Sequence, residues 1–319
     1  MIQPVRPISI EDVEQARARI GGTIMRTPLV KLELGDDAPE IWLKLENLQP
    51  TNAYKIRGAT NAVAALSDEE RAKGVWTISA GNAGQGVAYA AREFGVPSTV
   101  VAIETAPQTK LDRMRALGAE IVPVSYQDAW KIAEAHSHPD LDGTLVHPFD
   151  NTDFIAGHGT MALEILEDLP EVRTVIAAIG GGGLITGVGS PIKALRPDVK
   201  VLGAEPETAA PYAYSMAQGS PQWFPDWKAS FVDGAGGKSV TERMWQRMRP
   251  VTDGTIIVTL EQTRKAMRLI AEKTRTIAEG AGALALAAAL TGEAGDGPVV
   301  CVVSGGNIDL EKFAELVAD

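Results

Sequence analysis

Lys55 is the residue whose surroundings best suit covalent chemistry. It follows a polar turn, Asn47–Asn52, and stands at the start of a helix predicted from about Tyr54 to Leu66. Beside aromatic and apolar residues a lysine loses part of its hydration, so its pKa falls and its neutral amine can attack an aldehyde. Taken alone, a lysine beside a turn is more commonly a solvated surface residue.

Two glycine-rich segments have the form of anion-binding turns. Ser79–Ala83 stands where a predicted strand ends and a helix begins, and the free N–H groups of a helix start attract an anion. Gly180–Gly183 and Leu184 follow an apolar strand, and successive N–H groups in such a turn can cradle a phosphate. This second turn lacks the lysine of a P-loop and fits the dinucleotide fingerprint poorly. The Ser79–Ala83 segment could also be an ordinary turn between a strand and a helix.

Two polar residues stand at the ends of apolar elements. Ser304 follows the apolar run 298–303 and begins a Ser-Gly-Gly-Asn turn. Glu279 precedes a helix rich in glycine and alanine, where the helix dipole favours a negative charge. Ser304 could be a simple turn residue and Glu279 a simple helix-start residue, so neither identifies a site by itself.

The elements that must position these residues follow one recurring pattern. In segments 75–95, 174–197 and 298–313 an apolar, β-branched run leads into a glycine-rich turn and then into a helix. This alternation predicts an α/β fold in which helices cover parallel sheets. Because ligands of such folds bind at the carboxyl ends of the strands, the glycine-rich turns are candidate ligand loops.

Local signals predict where individual elements begin. Ser9 and Asp12 form the pattern of a capping box at the first helix, and Ser67 and Glu70 repeat that pattern. The alternating segment Ile41–Glu46 is predicted to be a strand.

The composition excludes several classes of protein. The formal net charge of −11 argues against binding to nucleic acid or to an anionic membrane. The single cysteine, Cys301, excludes an internal disulfide and a cysteine metal cluster, and its apolar surroundings indicate a buried side chain. Because no apolar run is long enough for a membrane helix and the first ten residues lack a signal-peptide pattern, we predict a cytoplasmic protein.

Five segments, taken in order, resemble the motifs of the threonine/serine dehydratase family of pyridoxal phosphate (PLP) enzymes, which have fold type II and are similar to the tryptophan synthase β-subunit. The segments extend over about residues 20–310, and each matches one family motif. They are Lys44–Ala59, Ser79–Gly86, Gly180–Leu184, Glu279–Ala283 and Ser304–Asn307. Each segment is weakly or moderately specific, but the family's order and spacing are kept throughout.

The resemblance implies a role for each candidate residue. Lys55 would hold PLP as a Schiff base and act as the catalytic base, and the glycine turn would hold the cofactor phosphate. Asn82 would bond the ring hydroxyl oxygen, Ser304 the pyridine nitrogen, and Glu279 would lie near the ring. The implied cofactor-binding residues are Lys55, Asn82, Gly180, Gly181, Gly182, Gly183, Leu184, Glu279 and Ser304. The implied substrate-binding residues are Ser79, Ala80, Gly81, Asn82 and Ala83.

The resemblance also implies an architecture. Two open, twisted, mostly parallel sheets would carry helices on both faces. Residues 1–52 and 150–319 would form a large PLP-binding domain, and residues 53–149 a small inserted domain that closes over the substrate. The family is commonly dimeric, so a homodimer is expected.

Three positions depart from the family's pattern. Asn52 and Ala53 replace a glycine and a serine before the lysine, and Ala80 replaces the serine that serves racemases as a second base. Because an alanine has no proton to exchange, racemisation by that route is not expected. At the family's cation site Glu205 is present, but Pro211 stands in place of an aspartate, so we predict a weak metal site or none.

The function implied is that of a lyase that removes water and ammonia from a β-hydroxy amino acid to give a 2-oxo acid. Alternatives are a dehydratase of a bulkier substrate (3-phenylserine, 3-hydroxyaspartate or a hydroxylated diamino acid) and a β-replacement synthase. A PLP-binding regulator without turnover and an NAD-binding Rossmann protein are more distant alternatives. Arg57, His158 and the segment 233–237 could line the substrate pocket or support it.

Overall fold

Two sheets form the framework of the protein. The computed structural model describes residues 4–35, 39–106 and 108–318. In spatial order the larger sheet consists of β1 (Leu29–Lys31), β2 (Ile41–Lys44), β10 (Val299–Val302), β7 (Thr174–Ala178), β8 (Lys200–Pro206) and β9 (Gly254–Val258). The smaller sheet consists of β5 (Glu120–Val124), β4 (Ser98–Ile103), β3 (Val75–Ile78) and β6 (Thr144–Leu145). All pairings are parallel except that of β1 with β2.

Helices connect the strands, as parallel pairing requires. In chain order they are α1 (Ile10–Ile20), α2 (Lys55–Ala64), α3 (Asp68–Lys73), α4 (Asn82–Glu93), α5 (Gln108–Ala116), α6 (Tyr126–Ala135), α7 (Thr152–Asp168), α8 (Gly183–Leu195), α9 (Pro211–Gln218), α10 (Glu242–Met248), α11 (Leu260–Thr274), α12 (Gly280–Ala289) and α13 (Leu310–Val317).

The larger sheet is buried on both faces. Successive side chains of a strand point to opposite faces, so Val175 and Ala177 of β7 join one core with α1, α7 and α8. Ile176 and Ala178 join a second core with α11 and α12. Cys301 of β10 lies in that second core and is fully buried, as its sequence predicted.

The local signals were accurate to within a few residues. Both capping boxes are present, with Ser9 and Asp12 at α1 and Ser67 and Glu70 at α3. The predicted strand that begins at Ile41 ends two residues early, because the chain turns there in a short 3-10 helix over Glu46–Leu48.

The strands of the smaller sheet all lie between residues 75 and 145, and those of the larger sheet lie outside that range. Helix α2 packs against both α4 and α7, so it contacts elements of both parts. The division into residues 53–149 and the remainder stays a prediction. Among the described residues, no helix has the length and apolar character needed to cross a bilayer.

Candidate functional site

A cleft opens where the ends of β3, β7 and β10 meet. It holds a cavity of about 480 Å³, and a smaller cavity of about 30 Å³ adjoins it. Every predicted site residue lines one of the two. Those of the larger cavity are Lys55, Ser79, Ala80, Gly81, Asn82, Ala83, Gly180, Gly181, Glu279 and Ser304. Gly182, Gly183 and Leu184 line the smaller one.

Lys55 is the first residue of α2 and points to the cleft. Its Nζ donates to the carbonyl oxygen of Pro148 over 2.6 Å and lies 5.1 Å from the ring centroid of Tyr54 and 5.4 Å from that of Phe154. Burial lowers the pKa of Lys55 to about 7. A large fraction of its amine is therefore neutral near pH 7 and able to attack an aldehyde.

Lys44 shows what Lys55 lacks. Its Nζ is also buried, but it forms an ion pair of 2.5 Å with Glu164. Arg57 bonds the same carboxylate over 2.8 Å and also bonds Glu46 over 2.8 Å. These four side chains form a buried, paired network behind Lys55, whereas the recorded partner of the Lys55 amine is a neutral carbonyl.

This network decides the role of Arg57, which the sequence left open. The side chain is fully buried and supports α2 from behind. His158 is likewise buried, with its ring 4.6 Å from that of Tyr54 and 4.8 Å from that of Phe154. Among the described residues neither of its ring nitrogens has a hydrogen-bond partner. Both residues therefore lie behind the cleft wall.

The turn before α4 brings backbone N–H groups to the cleft. Ser79 Oγ accepts a hydrogen bond from the Gly81 N–H over 3.2 Å, which shapes the turn. Helix α4 begins at Asn82, so the N–H groups of its first turn have no partner within the helix. At Gly86 a Cβ would lie 3.2 Å from the backbone carbon of Lys55, so this glycine lets α4 approach the lysine closely.

The glycine turn between β7 and α8 excludes side chains for steric reasons. A Cβ at Gly181 would lie 2.4 Å from Phe149 Cδ1, and one at Gly180 would lie 2.6 Å from the carbonyl oxygen of Gly234. Gly182 has φ +88°, a left-handed conformation that glycine adopts without strain. Helix α8 starts at Gly183, and its dipole adds positive potential to the turn. The turn has the form of an anion cradle.

Side chains from three distant segments meet on the opposite wall. Asn82 Nδ2 donates to Glu279 Oε1 over 2.7 Å, and Asn307 Nδ2 donates to Asn82 Oδ1 over 2.8 Å. Burial, and next the charge of Asp233, raise the pKa of Glu279 to about 7. Ser304 Oγ makes only a long contact of 3.4 Å with the Ala281 carbonyl, so its hydroxyl can turn to a ligand.

Glu205, the candidate cation ligand, serves the protein backbone instead. Its carboxylate accepts hydrogen bonds from the N–H groups of Tyr212 and Ala213, each over 2.8 Å, and from Thr255 over 3.1 Å. Pro211 starts α9 at this point. The donors occupy the oxygens that a cation would need, and the described residues contain no metal-binding group of three His, Cys, Asp or Glu side chains.

Several lining residues carried no sequence signal. They include Thr105, Lys110, Trp130, Phe149, and Lys238–Thr241. Of the segment 233–237, the sequence singled out the glycines without assigning a role, and four of its residues line the cleft. Asn307 was part of the fourth glycine-rich motif, but nothing in that motif indicated its contact with Asn82. These residues come from loops and helix faces that only the tertiary fold brings together.

The residues present fit PLP. The cofactor needs an amine that is neutral near pH 7, an anion site for its phosphate and polar contacts for its ring. Burial provides the first at Lys55, the turn at Gly180–Gly183 the second, and Ser304 and Asn82 the third. Two parallel sheets that enclose such a cleft define the class: a PLP-dependent enzyme of fold type II.

The chain belongs to the family described as pyridoxal-phosphate dependent enzymes, whose model matches residues 20–305. It is 37% identical to the L-threonine ammonia-lyase of Thermotoga maritima, over 97% of this chain and 78% of that protein. It is 35% identical to the catabolic L-threonine dehydratase of Staphylococcus aureus, over 99% of this chain and 94% of that protein.

Solved structures show the same fold. Maize serine racemase matches with a TM-score of 0.89 and 32% identity, over 97% of both chains. The serine racemase of Dictyostelium discoideum matches with a TM-score of 0.87 and 33% identity, over 95% of this chain and 99% of that one. A bacterial-type threonine deaminase, from the source abbreviated T.th., also matches with a TM-score of 0.87, at 36% identity over the same shares of the two chains. These relatives confirm the predicted threonine/serine dehydratase branch, fold, cofactor and ammonia-lyase class.

Proposed function

We propose that the protein is a lyase that removes water and ammonia from a β-hydroxy amino acid and releases a 2-oxo acid. The observation that carries this proposal is Lys55, whose pKa burial lowers to about 7 at the wall of a cleft between two glycine-rich turns. The relatives named for threonine dehydration support the same reaction class.

Each predicted residue takes one task in this proposal. The N–H groups of Ser79–Ala83 bind the substrate carboxylate, because a helix start attracts an anion. PLP supplies the electron sink that stabilises negative charge at the substrate α-carbon. The neutral Nζ of Lys55 accepts the α-proton, and the Pro148 carbonyl, 2.6 Å away, orients that nitrogen.

The remaining residues hold the cofactor and its surroundings. Gly180–Gly183 and Leu184 bind the phosphate, and Ser304 bonds the pyridine nitrogen. Asn82 has a second N–H for the ring oxygen after its bond to Glu279, because an amide nitrogen carries two hydrogens. Ala80 offers no second base, so the proposal is elimination without racemisation.

The test is to measure 2-oxo acid and ammonia from purified holoenzyme supplied with β-hydroxy amino acids. The panel contains both enantiomers of threonine and serine, threo- and erythro-3-phenylserine, and 3-hydroxyaspartate. Equal amounts of the two products from one member, absent with Lys55→Ala, would support the proposal. Silence across the panel with bound cofactor, or turnover that persists in Lys55→Ala, would contradict it.

We also propose that the enzyme is a cytoplasmic homodimer whose residues 53–149 close over the substrate. Light scattering on the purified holoenzyme should give twice the chain mass of 33.8 kDa. A mass equal to one chain would contradict the dimer. Reduced proteolysis of this segment on addition of substrate would support closure.

A further inference from the structure

A second cavity lies beside the cleft, and the reaction proposed above does not account for it. It measures about 360 Å³, which is within the range of roughly 300–1,000 Å³ that is typical of small-molecule sites. We name it the side chamber. It shares five lining residues with the cleft: Trp130, Phe149, Ser239, Val240 and Thr241. A molecule that enters the cleft is therefore separated from the side chamber only by these side chains.

Aromatic rings from three segments form its walls. Trp130 of α6 and Trp223 of the loop after α9 approach to a centroid distance of 6.1 Å with an angle of 51° between their planes. Phe149 borders both cavities and lies edge-on to His147 at 4.5 Å. Trp223 is 61% exposed, which is costly for a large aromatic residue unless it has a binding partner.

The charged groups of the side chamber do not favour an anion. Asp150 is bonded by Arg243, and it lies 3.4 Å from Arg247 Nε and 3.5 Å from His136 Nε2. Glu134 and Glu242 are exposed and add negative charge at the rim. A carboxylate on the substrate's side chain would be repelled here, whereas an uncharged ring would not.

The lysines of the neighbouring cleft wall also have partners. Lys110 forms an ion pair of 2.8 Å with Asp233. Lys238 lies 4.2 Å above the ring centroid of Trp227 and 5.4 Å from that of Tyr126. Neither ammonium is held ready for an acidic side chain, so the cleft and the side chamber agree in favouring an uncharged substituent.

We infer that the side chamber receives the substituent on the substrate's β-carbon, and that the preferred substrates are β-hydroxy amino acids with an aryl group there, of the 3-phenylserine type. This inference rests on the proposed dehydratase function. A hydrogen or methyl group on the β-carbon would leave the side chamber empty. An aryl ring would cover the indoles of Trp130 and Trp223 and remove apolar surface from water.

The test uses amino acids that bind without reacting, because they lack a β-hydroxyl group. L- and D-phenylalanine are each titrated into holoenzyme and compared with alanine of the same configuration. Binding is followed by the visible absorbance of the bound cofactor and by tryptophan fluorescence. We expect phenylalanine of one configuration to bind at least about tenfold more tightly than alanine.

Two variants locate the effect. Trp223→Ala, at an exposed position, should bring the phenylalanine-to-alanine affinity ratio close to one and lower the kcat/KM ratio of 3-phenylserine to threonine. Tyr89→Ala is the control, because Tyr89 contacts Arg92 on α4 and lines neither cavity. Equal affinities in the unmodified enzyme, or a ratio that Trp223→Ala leaves unchanged, would overturn the inference.

Failure of the inference can be separated from failure of the proposed function. If threonine or serine yields a 2-oxo acid but phenylalanine binds no better than alanine, only the aryl preference is wrong. If no β-hydroxy amino acid reacts, the dehydratase proposal fails. The aryl-substrate inference then falls with it, whatever the ratio for the two unreactive ligands.

Discussion

Asn82 and Glu279 are 197 positions apart in the chain, yet their side chains are joined by a hydrogen bond of 2.7 Å. Asn82 begins α4, behind the smaller sheet, and Glu279 immediately precedes α12, behind the larger one. The bond therefore crosses the cleft and links its two walls. Burial raises the pKa of Glu279 to about 7, so this link includes a group that titrates near neutral pH.

Replacement of Glu279 by glutamine should change how stability depends on pH. In the unfolded chain the carboxyl ionises near 4.5, but in the folded chain it ionises near 7. The stability contributed by the neutral form is therefore complete below 4.5 and is lost as the pH rises through about 7. Urea unfolding of Glu279→Gln at several pH values should show a flatter curve over this window, with a difference of up to about 3 kcal/mol. A difference that does not vary with pH would contradict the assignment.

Lys55 should control how fast the apoenzyme takes up its cofactor. Below pH 7 the neutral fraction of its amine rises about tenfold per pH unit, and above that it levels off. The rate at which visible absorbance appears after PLP is added should follow the same profile. Lys55→Ala should show no cofactor that borohydride fixes to the chain, whereas the exposed Lys31→Ala should behave as the unmodified protein.

An alanine in the glycine turn should weaken cofactor binding. A Cβ at residue 181 would collide with the Phe149 ring at 2.4 Å, so the ring or the turn must move. Titration of apoenzyme with PLP should show an affinity at least about tenfold lower for Gly181→Ala. Gly22→Ala is the matched control, since no heavy atom lies within 4 Å of the added Cβ. Equal affinities in the two variants would show that the turn does not hold the phosphate.

Loss of Arg57 should destabilise the whole protein. Arg57→Leu would leave the buried carboxylates of Glu46 and Glu164 without their shared partner, at a cost of about 3–5 kcal/mol in the free energy of unfolding. Arg57→Lys should recover only part of this, because one ammonium cannot bond both carboxylates in a forked geometry. Arg264→Ala, which breaks an exposed ion pair with Glu261, serves as the control for urea unfolding. A loss no larger than that of the control would contradict the buried network.

Divalent cations should not stabilise this enzyme. Glu205 already accepts hydrogen bonds from two backbone N–H groups and from Thr255. A ligand that binds only the folded state raises its melting temperature. Calcium, magnesium or EDTA should therefore shift the Tm of the holoenzyme by no more than about 1 °C. A larger, saturable increase that Glu205→Gln abolishes would contradict this prediction.

The sequence by itself determined the repeated unit and its chemistry. A strand, a glycine-rich turn and a helix start lie within a few residues of one another, so capping boxes such as that of Ser9 and Asp12 can be read locally. The glycines at 180–183 likewise announce a turn where side chains are excluded. Lys55 was identifiable because its motif, together with the other four, follows the family's order.

The tertiary structure alone decided what surrounds those motifs. Phe149 packs on Gly181, Asn307 on Asn82, and Trp130 on Trp223, and each pair is separated by tens to hundreds of residues. Arg57 is two positions from Lys55, yet its role depended on Glu46 and Glu164, which come from other elements. Such contacts depend on how helices and sheets pack, and packing is a property of surfaces that local sequence patterns do not specify.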